Sequence, residues 1–154
     1  MSGDLYEVDF YAWTQQQSAK LRALFEERAN LDLDLDNLSE EIDSMGRSYR
    51  NQLETRLANL LEHLLKLAFS PSWEPQNMWR GSVRGQRLAL QRLIKKNPSL
   101  KPVLPASLDE CYDDALRVFN DDKLIELTMP PLPASCPFDL ETEIMNPDWW
   151  PDAR

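Results

Sequence analysis

Apolar residues recur at steps of three and four in four stretches of this chain, the spacing of one buried helix face. Tyr6, Phe10, Trp13, Leu21, Leu24 and Phe25 predict a first helix over residues 9–28. Leu38, Ile42, Met45, Tyr49, Leu53, Leu57, Leu60, Leu64 and Leu67 form the longest stripe and predict a central helix over 37–69. Asn37, with Glu40 three residues on, has the form of a cap with a returning carboxylate. In the second half Leu61, Leu65 and Ala68 widen the stripe, so burial on more than one side is expected there. Gly46 interrupts the stripe at a cost of about 1 kcal/mol relative to alanine, which a bend or a close helix contact would explain. Pro71 and Pro75 are expected to end the helix.

A third helix over 77–96 offers Trp79, Val83, Leu90, Leu93 and Ile94 as its inner face. Gly81 and Gly85 lie four apart on one side and suggest close approach by a neighbour. After Asn97-Pro98 and a connector with Pro102 and Pro105, a fourth helix is predicted over 107–119, with Leu108, Tyr112, Ala115 and Phe119 inward. Residues 123–154 read as a proline-rich extension with a short helical turn near 139–145. Its end, Trp149-Trp150-Pro151, is too aromatic to stay in water and should pack back on the bundle. No strand or hairpin signal and no internal repeat is visible. The expected fold is all-α: a single domain of about four main helices around one long central helix.

Composition adds limits. A chain of 154 residues is long enough for one core and short for two domains. The start has no basic segment leading into an apolar run, so no secretory signal is expected. The apolar stretch 57–69 is too short and too broken by polar residues to span a bilayer, which needs about 20 apolar residues. Cys111 and Cys136 are expected as free thiols in a reducing cytoplasm. The net charge of −9 opposes attraction to nucleic acid or an anionic membrane. The charge is uneven, however. From Gln76 to Leu108 there is no acid, and Arg80, Arg84, Arg87, Arg92, Lys95, Lys96 and Lys101 fall in that stretch.

Candidate chemistry is sparse. The acidic run 32–43 has oxygen-bearing residues at calcium-loop spacing, but it carries Asn37 where the turn needs glycine and Asp43 where the loop needs a bidentate glutamate. It reads instead as an acidic helix start, matched to the positive end of the helix dipole. His63, the one histidine, sits at the edge of the central stripe with no ligand spacing around it, so neither metal nor cofactor is expected. No phosphate loop, nucleophile elbow or zinc-protease motif is present. Arg80, Arg84 and Arg87 share a helix face beside Trp79, and guanidiniums in a row suit anions or an acidic partner. Pairing with the acidic start of the central helix is the simpler expectation for them.

Several marks in order resemble a known family. They are Tyr6-x-x-Asp9-Phe10-x-x-Trp13, Leu35-Asp36-Asn37-Leu38-Ser39-Glu40-Glu41-Ile42, Met45-Gly46-Arg47-Ser48 and Leu60-Leu61-x-His63-Leu64-Leu65-Lys66. Trp79-x-x-Ser82-x-x-x-Gln86-Arg87, Pro98-Ser99-Leu100, Cys136-Pro137 and Trp150-Pro151 follow. Together they resemble the bacterial family called domain of unknown function 29. The resemblance implies a small α-helical bacterial protein and carries no catalytic residues with it. Within the matched marks Asp9, Asn37, Glu40, Glu41, Arg47 and His63 are candidates for a polar network or a site. Trp79, Arg80, Arg84 and Arg87 are candidates for contact with an anion or a partner. The leading expectation is a non-enzymatic module that self-associates or binds another protein. The alternatives are a nucleic-acid-associated module using Arg80, Arg84, Arg87, Lys95 and Lys96, and a metal-dependent enzyme using Glu40, Glu41 and His63.

Overall fold

A computed structural model describes residues 2–27, 30–70, 75–121 and 131–152. The described residues are all-helical, with no strand among them. Five α-helices follow one another: α1 Ser2–Val8, α2 Phe10–Glu26, α3 Leu35–Phe69, α4 Gln76–Lys96 and α5 Val103–Asp121. A 3-10 turn, Pro98–Leu100, separates α4 from α5, and a single π-turn, Leu140–Ile144, lies in the C-terminal extension. The four long helices and the late turn match the periodicity; α1 was not anticipated. Asp9 creates it, because its non-helical backbone breaks the first amphipathic stretch in two.

Three helix boundaries differ from expectation. The start of α3 is capped by Asp34, whose carboxylate accepts from the Asn37 backbone at 3.2 Å and from the Asn37 side chain at 2.7 Å. A carboxylate three residues ahead of Asn37 outcompetes it as the cap, and Glu40 is left free to pair elsewhere. Pro75 does not end α3; its carbonyl accepts from Trp79 and opens α4. Pro71 and Arg28 lie outside the described residues. Pro105 lies inside the first turn of α5, which begins four residues earlier than expected. Proline is tolerated there, since a first-turn N–H has no intrahelical acceptor.

The described residues divide into two compact units, one of 1–53 and 93–103, the other of 54–92 and 104–154. In the second unit the apolar core is dense. Leu57, Leu60, Leu61, Leu64 and Leu65 of α3 are fully buried, as are Val83 and Leu90 of α4. Tyr112, Ala115 and Phe119 of α5 and Ile144 of the π-turn are buried too. The widened stripe of α3 thus finds neighbours on several sides. The extension is tied down by the Tyr112 hydroxyl, which donates to the Pro133 carbonyl at 2.6 Å. Both cysteines are free thiols. Burial, with Glu54 nearby, pushes the Cys111 thiol up to about 12, so it stays protonated and unreactive.

The first unit is built differently. Phe10 meets Tyr49, Thr14 meets Gly46, and Arg22 meets Glu40 and Asp43. Numbers rise along α2 as they fall along α3, so the two helices form an antiparallel hairpin. Its buried side carries small residues, Thr14 and Ser18 of α2 and Ser39 and Gly46 of α3, between the buried Leu35 and Leu53 at the two ends of this stretch of α3. Several other apolar residues read as core are not buried. Tyr6, Leu24 and Phe25 are exposed, as are Leu38 and Met45. Small side chains let the backbones approach closely, and the larger neighbours are then pushed to the flank. The two glycines of α4 show the reverse error. Nothing lies within 4 Å of where a side chain would begin at Gly81 or Gly85, so neither marks a close approach.

Candidate functional site

Most polar candidates of the first unit have partners within it. Asp9 accepts from the Ala12 backbone at 3.0 Å, and from the Ser99 backbone and hydroxyl, both at 2.7 Å. Asn97 is buried and accepts from the Tyr11 backbone at 3.0 Å. Two of the unpaired N–H groups at the head of α2 are therefore capped, one by a side chain 86 residues away in sequence. Asp9→Ala should cost about 2–3 kcal/mol, since it removes a cap and two charge-assisted bonds from a buried site. Denaturant unfolding would register this; a loss below about 1 kcal/mol, that of a simple exposed cap, would contradict it.

Glu40 and Asp43 are held by Arg47, at 2.6 Å for Glu40, and by Arg22 at 3.5 and 3.6 Å. Two acids near the start of α3, Glu40 and Asp43, are thus paired within the hairpin. Glu41 is exposed, and Asn37 serves the start of α3. The Arg47 guanidinium is held above its ordinary value by its bond to Glu40.

His63 belongs to the second unit and lies 2.7 Å from the Asn59 carbonyl through Nδ1. A carbonyl only accepts, so Nδ1 bears the proton and the ring is locked onto its own helix. Beside it Glu62 and Lys66 form a largely buried ion pair at 2.6 Å. Among the described residues no group of three or more histidine, cysteine, aspartate or glutamate side chains is placed to hold a metal ion.

The basic candidates converge, though not on a carboxylate. Arg80, Arg84 and Arg87 lie 4.9, 5.1 and 5.2 Å from the Trp150 ring centre. Arg87 is buried four residues after Val83 and three before Leu90, a place the periodicity assigns to an apolar residue. It donates to the carbonyls of Ile144 at 2.8 Å and Glu143 at 3.0 Å. One terminal nitrogen has no partner among the described residues. Burial holds the guanidinium below its ordinary value. The row of cations is thus a clamp on the C-terminal extension, and Trp150 packs beneath it. Trp149 lies against Phe138, with ring centres 5.6 Å apart. Trp79 is buried core.

What remains uncommitted is apolar. On α2 the stripe of Phe10, Trp13, Gln17 and Leu24 lies on one side of the seam residues Thr14 and Ser18, and Tyr6 of α1 packs edge-on against Phe10 and Trp13. On α3 the stripe of Leu38, Ile42, Met45 and Tyr49 lies on the corresponding side of Ser39 and Gly46. In an antiparallel pair the same angular offset falls on the same face, and the Phe10–Tyr49 ring contact at 5.3 Å joins the two stripes. Arg22, Glu40, Asp43 and Arg47 carry the opposite offset and occupy the other face. The hairpin therefore has one charged face and one apolar face. The apolar face includes Tyr6, Leu38 and Met45, which are 49, 41 and 45% exposed. The periodicity marked these residues but assigned them to a core. The signal that separates the readings is the run of small residues one position along from each stripe.

No helix among the described residues is long and apolar enough to cross a membrane. An alpha-helical protein of unknown function from Rhodospirillum rubrum, known from its crystal structure, has a similar fold. Its TM-score is 0.71 at 24% identity, over 94% of this chain and 90% of that one. No match was found among curated proteins. The profile of the family described as domain of unknown function DUF29 matches residues 5–150, so this chain belongs to that family.

Proposed function

We propose that the chain is a non-enzymatic docking module that acts through the apolar face of the α2–α3 hairpin. One observation carries the reading: Leu24 of α2 and Leu38 and Met45 of α3, with Tyr6 of α1 beside them, are large apolar side chains at core spacing that stand exposed on the same face. A patch of several large apolar side chains costs free energy in an isolated protein and marks a surface that another molecule covers. Most of the other candidates are already occupied. Arg87 is spent on backbone carbonyls, Arg80 and Arg84 on Trp150, and Glu40 and Asp43 on arginines. A nucleic-acid partner would have to compete for the clamp and approach an acidic chain.

A photo-crosslinking side chain at Met45 or Leu38 tests this in cells, with exposed Glu41 as the comparison site. Adducts with a protein identified by mass spectrometry should form from Met45 and Leu38 and be absent from Glu41. Absence of adducts at the first two sites, or equal yield at all three, would refute the docking face.

A further inference from the structure

We infer that Arg80, Arg84 and Arg87, gathered around Trp150, form a binding site for the phosphate group of a small ligand. The site is separate from the apolar face and does not depend on what that face does. All three guanidinium centres lie within 5.2 Å of the centre of one ring. Like charges held this close repel one another, and the electron-rich face of a tryptophan offsets only part of that repulsion. An anion would offset the rest. Among the described residues no carboxylate pairs with any of the three, and the sequence holds no acid from Gln76 to Leu108.

The ring contacts leave hydrogen-bond donors over. A guanidinium that stacks on a ring uses its flat face and keeps its in-plane N–H groups for acceptors. Arg87 gives Nε and Nη2 to the carbonyls of Ile144 and Glu143. Its other terminal nitrogen, Nη1, has no acceptor among the described residues, although the residue is only 2% exposed. A buried donor left in this state is rare and marks a missing partner. Burial moves this guanidinium below its ordinary value, and no carboxylate stands close enough to move it up.

The cluster is also reachable. Arg87 is buried, Arg80 is half-buried and Arg84 is exposed, so the donors run from the interior to the solvent. A ligand meets Arg84 and Arg80 first, and reaches Nη1 of Arg87 as the half-buried Trp150 ring shifts. Gly81 and Gly85 each follow an arginine of the row, and nothing lies within 4 Å of where their side chains would begin. Glycine weakens a helix interior, and packing gives no reason for either one. Open space beside a cationic row does.

A phosphate monoester fits this set of donors better than a carboxylate. It carries close to two charges at neutral pH and three terminal oxygens, against one charge and two oxygens. A nucleic acid fits less well, because a chain with a net charge of −9 repels a long polyanion beyond the site itself.

The test is a titration of the intact chain near neutral pH and at fixed ionic strength, followed by calorimetry and tryptophan emission. The probes are inorganic phosphate, acetate and a single-stranded oligonucleotide. Phosphate should bind one site per chain with a Kd of about 1 mM or below, and acetate at least tenfold more weakly. Arg80→Gln combined with Arg84→Gln should weaken phosphate binding at least tenfold with unchanged helical circular dichroism, because neither side chain is buried. Arg92→Gln combined with Lys96→Gln removes the same charge from exposed positions outside the cluster and should leave binding intact. No saturable response to phosphate would overturn the inference. So would indifference to the Arg80 and Arg84 pair of substitutions, or an equal loss with the Arg92 and Lys96 pair. Acetate bound as tightly as phosphate would overturn the phosphate assignment, and an oligonucleotide bound more tightly than phosphate at physiological salt would replace the small ligand with a nucleic acid.

Discussion

Replacement of Arg87 by alanine should cost about 3 kcal/mol and lower Tm by roughly 6–12 °C, although the residue carries a charge and pairs with no acid among the described residues. Two charge-assisted bonds to the Ile144 and Glu143 carbonyls would be lost, and both carbonyls would need new donors. One face of the Trp150 stack would go with them. The gain is smaller: the guanidinium would no longer be desolvated with a nitrogen unpartnered. Arg84→Ala should cost only about 0.5–1 kcal/mol, because Arg84 is exposed and contributes the cation–ring contact alone. Arg87→Lys keeps the charge but not the planar fork that spans two carbonyls, and should fall between them. Thermal unfolding measures the order, and tryptophan emission should shift to the red as Trp150 is released. Equal losses for Arg84→Ala and Arg87→Ala would show that no clamp exists.

The second large effect concerns glycine, with opposite signs at different sites. Gly46→Ala should destabilise by about 1–3 kcal/mol, against the gain of about 1 kcal/mol that alanine normally brings to a helix. The new methyl would meet the Thr14 hydroxyl oxygen, and would lie 2.7 Å from the Gln15 amide nitrogen. Gln15 can swing away. Thr14 cannot, because it is fully buried and its hydroxyl donates to the Tyr11 carbonyl. Gly46→Ala combined with Thr14→Ala should therefore recover most of the loss, a coupling of about 1–2 kcal/mol in a double-mutant cycle. Gly81→Ala and Gly85→Ala should each stabilise by up to about 1 kcal/mol, since nothing stands in the way. Additive behaviour at positions 14 and 46 would mean the seam is not packed as described.

The seam and the docking face answer to the same physics. If the seam were made of leucines, the hairpin would bury its apolar stripes between its own helices. Thr14, Ser18, Ser39 and Gly46 instead draw the backbones together and turn Leu38 and Met45 outward. An exposed stripe next to a close-packed seam fits a surface evolved to meet another one.

Much of the scaffold was legible from the chain alone. A period of 3.6 is a local property, so Leu57 to Leu67 announced the buried side of α3, and Tyr112, Ala115 and Phe119 that of α5. Asn97, followed by Pro98, stood out as the end of a helix and Asp9 as a polar candidate, but their shared service to the head of α2 did not. Periodicity tells which side of a helix is apolar; it does not tell whether anything covers that side. Leu24 of α2 and Leu38 and Met45 of α3 repeat as regularly as the core residues, yet water reaches them, while small residues beside them with no hydrophobic signal are buried. Arg87 carries the same lesson in reverse. A cation at a core position is read as surface until a tail more than fifty residues later supplies two carbonyls and a ring. Local spacing determined the helices. Distant groups, which the backbone brings together only on folding, decided which faces were filled and which were left open.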